Sequence, residues 1–532
     1  MVRSVQYDQL KELEDTPRGT LQTIMQWVQH SPIYQRITEH PLATTGKQPR
    51  VTLSTRDLQR LEECGKLRRV EDEQNTASTP HKHFCNAFTT LETKEDGDRR
   101  RPIFEPHINQ LLHDNEVTVS YTPKSVIHRA VAQNAGARQL DMAAWFDQLP
   151  LAEAIQQWFT VCAHGISYVL TVIPMGYRPA CVVAQGIVDC LIHPISRQLD
   201  TASCVDNVIF FGDETTTASA VQTFLTRCKM IGAQVKDDNP RYETSYDFLG
   251  EHYTHGPAPS KRLTEKTWRK ILFLSTWLAD NTKRPKTRQL MAVFGLLLYA
   301  SQVLDLSVAS HHFSMKFLSF IATQDLQTRH TIPDDIQHDL SKWTQEAVAN
   351  TPVPVYTHVS APTLTIYVDA SSTGWGALAI EGASVRSVAR PWGPHEEPLA
   401  GSSVFAEPAA VRRAVAFFVA PARHHSVQIW TDHQPLVFAW DKGHGHAFTY
   451  SHMIVYLQSY KTQFTITHIP GHMNPADALS RINHSLPPLL QVTKVGYDLN
   501  TSEREKQGGQ WQMGRAAKEA GFFPHITQKT MN

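Results

Sequence analysis

The stretch that decides the fold is CVDNVIFFGDETTTAS, Cys204 to Ser219. It holds two acidic centres, Asp206-Asn207 and Asp213-Glu214, and local physics assigns them different work. Asp-Asn tolerates the left-handed backbone of a tight hairpin, and VIFF is a good returning strand. Downstream, Val221, Phe224, Leu225, Cys228 and Ile231 recur at helical spacing, and Gly232 stands where a helix C-terminus favours glycine. Acids and threonines just ahead of a helix cap its free N–H groups and complement its dipole. Asp213 and Glu214 are therefore predicted to start a helix, and Asp206 to mark a hairpin tip.

The surrounding chain of 532 residues is too long for one core, and two to four domains is the expectation. With 41% hydrophobic and 19% charged residues it has ordinary globular composition. The longest apolar run, Met291 to Ala300, is too short for a membrane span and predicts a buried helix. MVRSVQYDQLKELED lacks the apolar segment of a signal peptide, and the seven cysteines form no C-x-x-C pair, so an intracellular protein with reduced thiols is expected. HKHFC, His81 to Cys85, offers half a zinc site with no second half downstream. Net charge is zero, yet KLRRV (66–70), GDRRRP (97–102) and Lys261 to Arg288, with Trp268 and Trp277 interleaved, are locally basic. Such segments suit a phosphate backbone, and equally a solvated helix face.

A proline-punctuated stretch, Asn350 to Thr363, reads as a linker. Before it, Lys261 to Gln345 is mostly helical in pattern. After it, LTIYVDAS predicts a strand and FAEPAAVRRAVAFFV a helix with Val411, Val415 and Phe418 on one face. SVQIWTDHQPLVFAW and FTITHIPG read as strand-like, so the region predicts a small α/β domain. Four acids stand at predicted element ends: Asp369, Glu407, Asp432 and Asp477. Acids converging from several elements can hold paired hard cations for phosphodiester chemistry, although any one of them alone could be a cap or turn residue.

DASSTGWGA, FAEPAAV, TDHQPL and HIPGHMNPADALSR, in this order, resemble the ribonuclease H domain attached to reverse transcriptases of gypsy-like and DIRS-like retroelements. The resemblance implies that Asp369, Glu407, Asp432 and Asp477 are metal ligands. It places His472 near the histidine that assists product release in some relatives.

Upstream, QLDMAAWFDQLPL, VIPMGYRPACVVAQ, YDFLGEHYTHG and TKEDGDRRRPIFEPHIN are similar in order and spacing to reverse transcriptase of the same retroelements. That likeness implies an α+β multidomain chain, a right-hand polymerase followed by an α/β ribonuclease H-like domain. The expected divisions are an N-terminal extension (1–60), fingers (61–138), palm (139–256), helical thumb and connection (257–349), linker (350–361), ribonuclease H domain (362–483) and tail (484–532). Asp141 is then a palm metal ligand, and Phe146 the aromatic under the incoming sugar. Lys94, Arg100, Met175 and Gly176 contact the nucleotide, and Phe248, Leu249 and Gly250 form the primer grip.

The family's Tyr-x-Asp-Asp motif fits in one of two registers, with Asp206-Asn207 or Asp213-Glu214 as its acids. Asp206 lies 31 residues after Met175 and Asp213 lies 38 after it; the family keeps the shorter interval. Asn207 then replaces the second acid and Cys204 the tyrosine. An amide oxygen can still coordinate Mg²⁺ but brings no charge. The resemblance implies two Mg²⁺ per active site, with Mn²⁺ as a possible substitute. Its implied partners are an RNA template, a DNA primer, the RNA–DNA hybrid and deoxynucleoside triphosphates, without a membrane. Capsid, recombinase or integrase functions would lie on other chains.

Overall fold

The computed structural model describes residues 4–13, 15–29, 34, 50–70, 85–94, 97–278, 284–355, 361–393, 401–460 and 462–481. His81 to Phe84 of HKHFC and the tail expected at 484–532 lie outside them. None of the described helices is long and apolar enough to cross a membrane. The chain forms two compact units, Met1–Lys261 with Pro354–Thr357, and Arg262–Val353 with His358–Asn532.

In the first unit β1 (Leu67–Arg69), β5 (Thr160–Ala163) and β6 (Ile166–Leu170) form one sheet, and β2 (Cys85–Lys94) and β3 (Gly97–Pro106) a long hairpin. A third sheet has the order β4-β8-β7, from Gly136–Asp141, Asn207–Gly212 and Thr201–Cys204. The hairpin of β9 (Ser245–Phe248) and β10 (Glu251–Thr254) follows. The helix Ala180–Ser196 is largely apolar and mostly buried, as a helix running through the core must be, with Gln185, Asp189 and His193 on one face. Val183, Ala184, Ile187, Val188 and Leu191 are all fully buried. At Gly186 a Cβ would come within 3.2 Å of Ile24, so the helix Arg18–Val28 packs there by close approach.

CVDNVIFFGDETTTAS divides as expected, with one correction. Asp213 N-caps the helix Glu214–Met230, accepting from the Thr215 and Thr216 N–H groups at 2.9 and 2.8 Å. Gly232, with φ of +76°, closes that helix. Asp213→Ala removes the cap, and circular-dichroism melting should show a transition roughly 2–4 °C lower, with β4 and β8 unaffected. The correction concerns the hairpin. Cys204 pairs with Asn207, so the loop is Val205–Asp206, and its left-handed residue is Val205, with φ of +58°. Asn207 is already a paired strand residue, because β8 begins there.

Strand β11 (Ser260–Leu263) and β12 (Val353–Pro354) lie where the chain passes between units. In the second unit the helices Glu265–Leu278, Thr287–Leu304, His312–Ile321 and Asp334–Val348 enclose Leu290, Phe294, Leu297, Leu340 and Trp343. The run Met291 to Ala300 is thus inside a helix, as its composition predicts. A five-stranded sheet follows, ordered β15-β14-β13-β16-β17. Its strands are β13 (Leu364–Ala370), β14 (Gly374–Glu381), β15 (Ser384–Pro391), β16 (Ser426–Thr431) and β17 (Gln463–His468). Strands β13, β16 and β17 run parallel, while β14 and β15 are antiparallel additions.

The helix Ser403–Phe418 buries Ala410, Val411, Ala414 and Val415 among the sheet's core residues. It begins earlier than FAEPAAV suggests, so Glu407 lies in its second turn and does not open it. The second half of SVQIWTDHQPLVFAW is a helix, Gln434–Lys442, and not a strand. Pro435 in its first turn presets φ for helix, and Gly443 (φ +71°) ends it.

Candidate functional site

In the second unit, parallel strands β13 and β16 end side by side, which brings Asp369 and Asp432 together. The helix Ser403–Phe418 lays Glu407 over them. Each of the three offers a carboxylate oxygen, and these lie within 4.8 Å of one another. Asp369 and Glu407 are both 4% exposed, and Oε2 of Glu407 is buried without a hydrogen-bond partner. Burial, opposed by a hydrogen bond from Ser480 and reinforced by the charges of Asp432 and Asp477, raises the Asp369 pKa to about 6. Burial and the charges of Asp369 and Asp432 push Glu407 to about 9. Three acids that cannot comfortably ionise together, one with an orphaned buried oxygen, fit a hard divalent cation that would neutralise them.

The fourth expected ligand, Asp477, is not in that set. It begins the short helix Asp477–Ser480, and Arg481 holds its Oδ1 at 2.7 and 3.2 Å. The loop before it is tied down by Asn474, whose amide donates to the Val368 carbonyl at 3.0 Å and accepts from the Ala476 N–H at 3.1 Å. Sequence reasoning passed over Asn474, although it stands inside the NPAD wording. His472 is exposed in the turn Gly471–Met473. A Cβ at Gly471 would come within 2.9 Å of Asp432 Oδ2, so this turn lies directly against the acid.

In the first unit, β4 and β8 pair so that Asp141 stands opposite Asn207. The Met142 N–H donates to the Asp206 carbonyl at 2.8 Å, which brings the tip of the β7–β8 hairpin to the end of β4. Burial raises the Asp206 pKa and the charge of Asp141 adds to the rise, while the Arg101 charge and the Asn207 amide oppose it. That amide donates to Asp206 Oδ1 at 3.0 Å. Lys236 approaches the exposed Asp141 at 3.7 Å. Asp141, Asp206 and the Asn207 amide thus meet at neighbouring strand ends, a leaner oxygen donor set than the second unit offers. Asp213 and Glu214 lie at the far end of β8. Asp213 is engaged as the cap, and Glu214 faces Arg138 at 3.6 Å.

The remaining expected residues also belong to the first unit. Phe146, half-buried, packs against the core from the turn Trp145–Gln148. Lys94 ends β2, and its side chain lies outside the description. Arg100 forms a two-pronged pair with the buried Asp57, at 3.0 and 2.5 Å, and this holds the Asp57 carboxyl well below the usual range. Neighbouring strand residues face opposite ways. Arg101 is accordingly held by Glu92 at 2.9 Å, with its Nε buried without a partner, and its charge lowers the Asp206 pKa. The sequence signal was present in RRRP, but nothing local says which face of the strand turns inward.

Gly176 has φ of +108°, and a Cβ there would meet the Phe104 carbonyl oxygen at 2.2 Å. The close approach that demands glycine is therefore to β3, whose Phe104 N–H donates to the Met175 carbonyl at 3.2 Å. Gly176→Ala should destabilise the first unit by about 1–3 kcal/mol in denaturant unfolding. Leu249 and Gly250, with φ of +48° and +84°, make the two-residue loop of the β9–β10 hairpin, and Phe248 is buried beneath it. Glu251 anchors the hairpin. It is 1% exposed, paired with Lys124 and bonded by the Tyr253 hydroxyl at 3.0 Å. Burial raises its pKa, but the hydrogen bond from His128 and the pairing with Lys124 prevail and lower it to about 2.

No protein-family model matches the chain, and no curated protein matches it. Among solved structures it is similar to the foamy viral protease-reverse transcriptase in complex with double-stranded DNA, at 14% identity and a TM-score of 0.46, over 92% of this chain and 100% of that one. The dRH form of that protein with double-stranded DNA gives 14% and 0.46, over 91% and 82%. Its complex with an RNA/DNA hybrid gives 13% and 0.43, over 91% and 65%.

Proposed function

We propose that this chain is an RNA-directed DNA polymerase with a fused ribonuclease H, of the kind encoded by gypsy-like or DIRS-like retroelements. The observation that carries the reading is that one chain folds two separate carboxylate centres. One is read from Asp141, opposite Asn207 and next to Met142, whose N–H holds the Asp206 carbonyl at the hairpin tip; the other is the set Asp369, Glu407 and Asp432, within 4.8 Å of one another. On this reading residues 61–138 are fingers, 139–256 palm, 257–349 thumb and connection, and 362–483 the nuclease.

Mg²⁺ held by these acids would activate the attacking hydroxyl or water and stabilise the leaving oxygen. Around the palm acids, Arg101 supplies a charge-assisted donor toward the triphosphate, while Phe146 lies under the sugar. The Phe248–Gly250 hairpin supports the primer end. At the nuclease centre Asp477 and His472 border the three-acid set and handle the released strand. RNA template, DNA primer, hybrid and deoxynucleoside triphosphates are the partners, and hybrid is recognised through its shape and 2′-hydroxyls.

Extension of a DNA primer on an RNA template, with Mg²⁺ and Mn²⁺ compared, tests the reading. Polymerisation and hybrid cleavage by the same chain are expected. Mn²⁺ should favour polymerisation in particular, because it tolerates poorer donor sets, and Asn207→Asp should remove that preference. Asn207 also favours a second reading, in which only the nuclease is active; it predicts hybrid cleavage with no extension in either metal.

A further inference from the structure

We propose that Gln185 is a positioning residue for Asp206, acting through the backbone of the strained turn that carries it; this rests on the reading of Asp206 as a polymerase metal ligand. Gln185 lies in the helix Ala180–Ser196, 3% exposed, and every polar atom of its amide is used. Its Nε2 donates to Asp189 Oδ1 at 2.7 Å and to Ser203 Oγ at 2.8 Å. Its Oε1 accepts from the Val205 N–H at 2.7 Å.

The partners dictate the direction of the amide. A carboxylate only accepts, so the NH₂ end must face Asp189 and the oxygen must face Val205. Asp189 therefore orients Gln185, and Gln185 holds Val205.

Val205 needs holding. A β-branched residue at φ of +58° is in the region that L side chains avoid, and such strain persists only where surroundings over-determine it. The next residue is Asp206. Released from Gln185, Val205 would relax toward negative φ, and the loop would swing the Asp206 carboxylate away from Asp141. A misplacement of about 1 Å in a reacting constellation costs on the order of 10²-fold in rate. Gln185 touches neither metal nor nucleotide in this account.

The test uses the full chain carrying Gln185→Leu, close in volume and without hydrogen bonds, alone and combined with Val205→Gly. Glycine adopts left-handed φ without cost, so the double variant should recover what the single one loses. Three quantities are read: kcat for primer extension, Mn²⁺ affinity of the Asp206 centre isolated by difference from Asp206→Ala, and amide exchange at Val205. Expected for Gln185→Leu are a fall in kcat of about 10²-fold, weaker Mn²⁺ binding, faster exchange at Val205, and unchanged hybrid cleavage. Val205→Gly should restore both kcat and Mn²⁺ affinity.

Unchanged Mn²⁺ affinity in Gln185→Leu overturns the inference, as does a loss that Val205→Gly does not restore, since a general packing defect would not be cured at the turn. If the unsubstituted chain extends no primer while Mn²⁺ affinity still falls and recovers in this pattern, the polymerase reading fails and the positioning role stands.

Discussion

If the chain polymerises as proposed, Asp206→Ala should abolish primer extension, lowering the rate by at least on the order of 10³-fold, because several kcal/mol of charge stabilisation at the reacting phosphate would depend on the cation Asp206 helps to hold. Asp141→Ala should do the same on that reading, since Asp141 stands opposite Asn207 and the Met142 N–H holds the Asp206 carbonyl beside it. Hybrid cleavage should be untouched by either change, because Asp369, Glu407 and Asp432, the acids proposed to carry it, belong to the other unit. Asp213→Ala provides the contrast. Its carboxylate caps a helix at the opposite end of β8, so extension should survive there with only a small loss of melting temperature. Extension that persisted in Asp206→Ala and vanished in Asp213→Ala would reverse the assignment of the two acidic centres.

Glu407→Gln should have an equally large effect of a different kind, abolishing hybrid cleavage while making the metal-free second unit more stable. The reason is the sign of the proton linkage. Glu407 and Asp369 titrate near their ordinary carboxylate values when unfolded, but at about 9 and 6 when folded. Between those limits the folded form binds more protons than the unfolded one, so metal-free stability falls as pH rises through the window. Glutamine keeps the shape, removes the ionisable group and flattens that slope.

Mg²⁺ bound by these acids would displace the same protons, so its stabilising effect should be larger at pH 8 than at pH 5.5. Melting with and without Mg²⁺ at the two pH values, for the original and the Glu407→Gln chain, measures all of this. A metal-free chain that gained stability with rising pH would remove the linkage argument. Glu407→Gln protein that still cleaved hybrid would remove Glu407 from the reaction.

Much of this is legible in the sequence. The helix starting at Asp213, the returning strand VIFF, the buried helix around Met291–Ala300 and the strand ending at Asp369 follow from local signals: capping chemistry, β-propensity, and period. These depend on a residue and its near neighbours, which is the information a single sequence contains. The misread stretch QPLVFAW is instructive for the same reason. Its apolar run suits strand or helix equally, and Pro435 beside Gly443 was the local clue that it folds as a helix.

What tertiary structure alone decided is which side chains meet. The sequence shows three adjacent arginines but not that Asp57, more than forty positions away, takes Arg100 while Glu92 holds Arg101. It marks Gly176 as special, yet the Phe104 carbonyl that makes it so comes from another strand. Four acids were readable as a set; that Asp369, Glu407 and Asp432 converge while Arg481 holds Asp477 depends on strand order and helix placement. The hairpin tip at Asp206 was set by the sequence, whereas its strain at Val205 and its restraint by Gln185 exist only once the helix and the sheet have packed. Distances across a fold are fixed by that packing, and side chains far apart along the chain carry no local signal of the partner they will find.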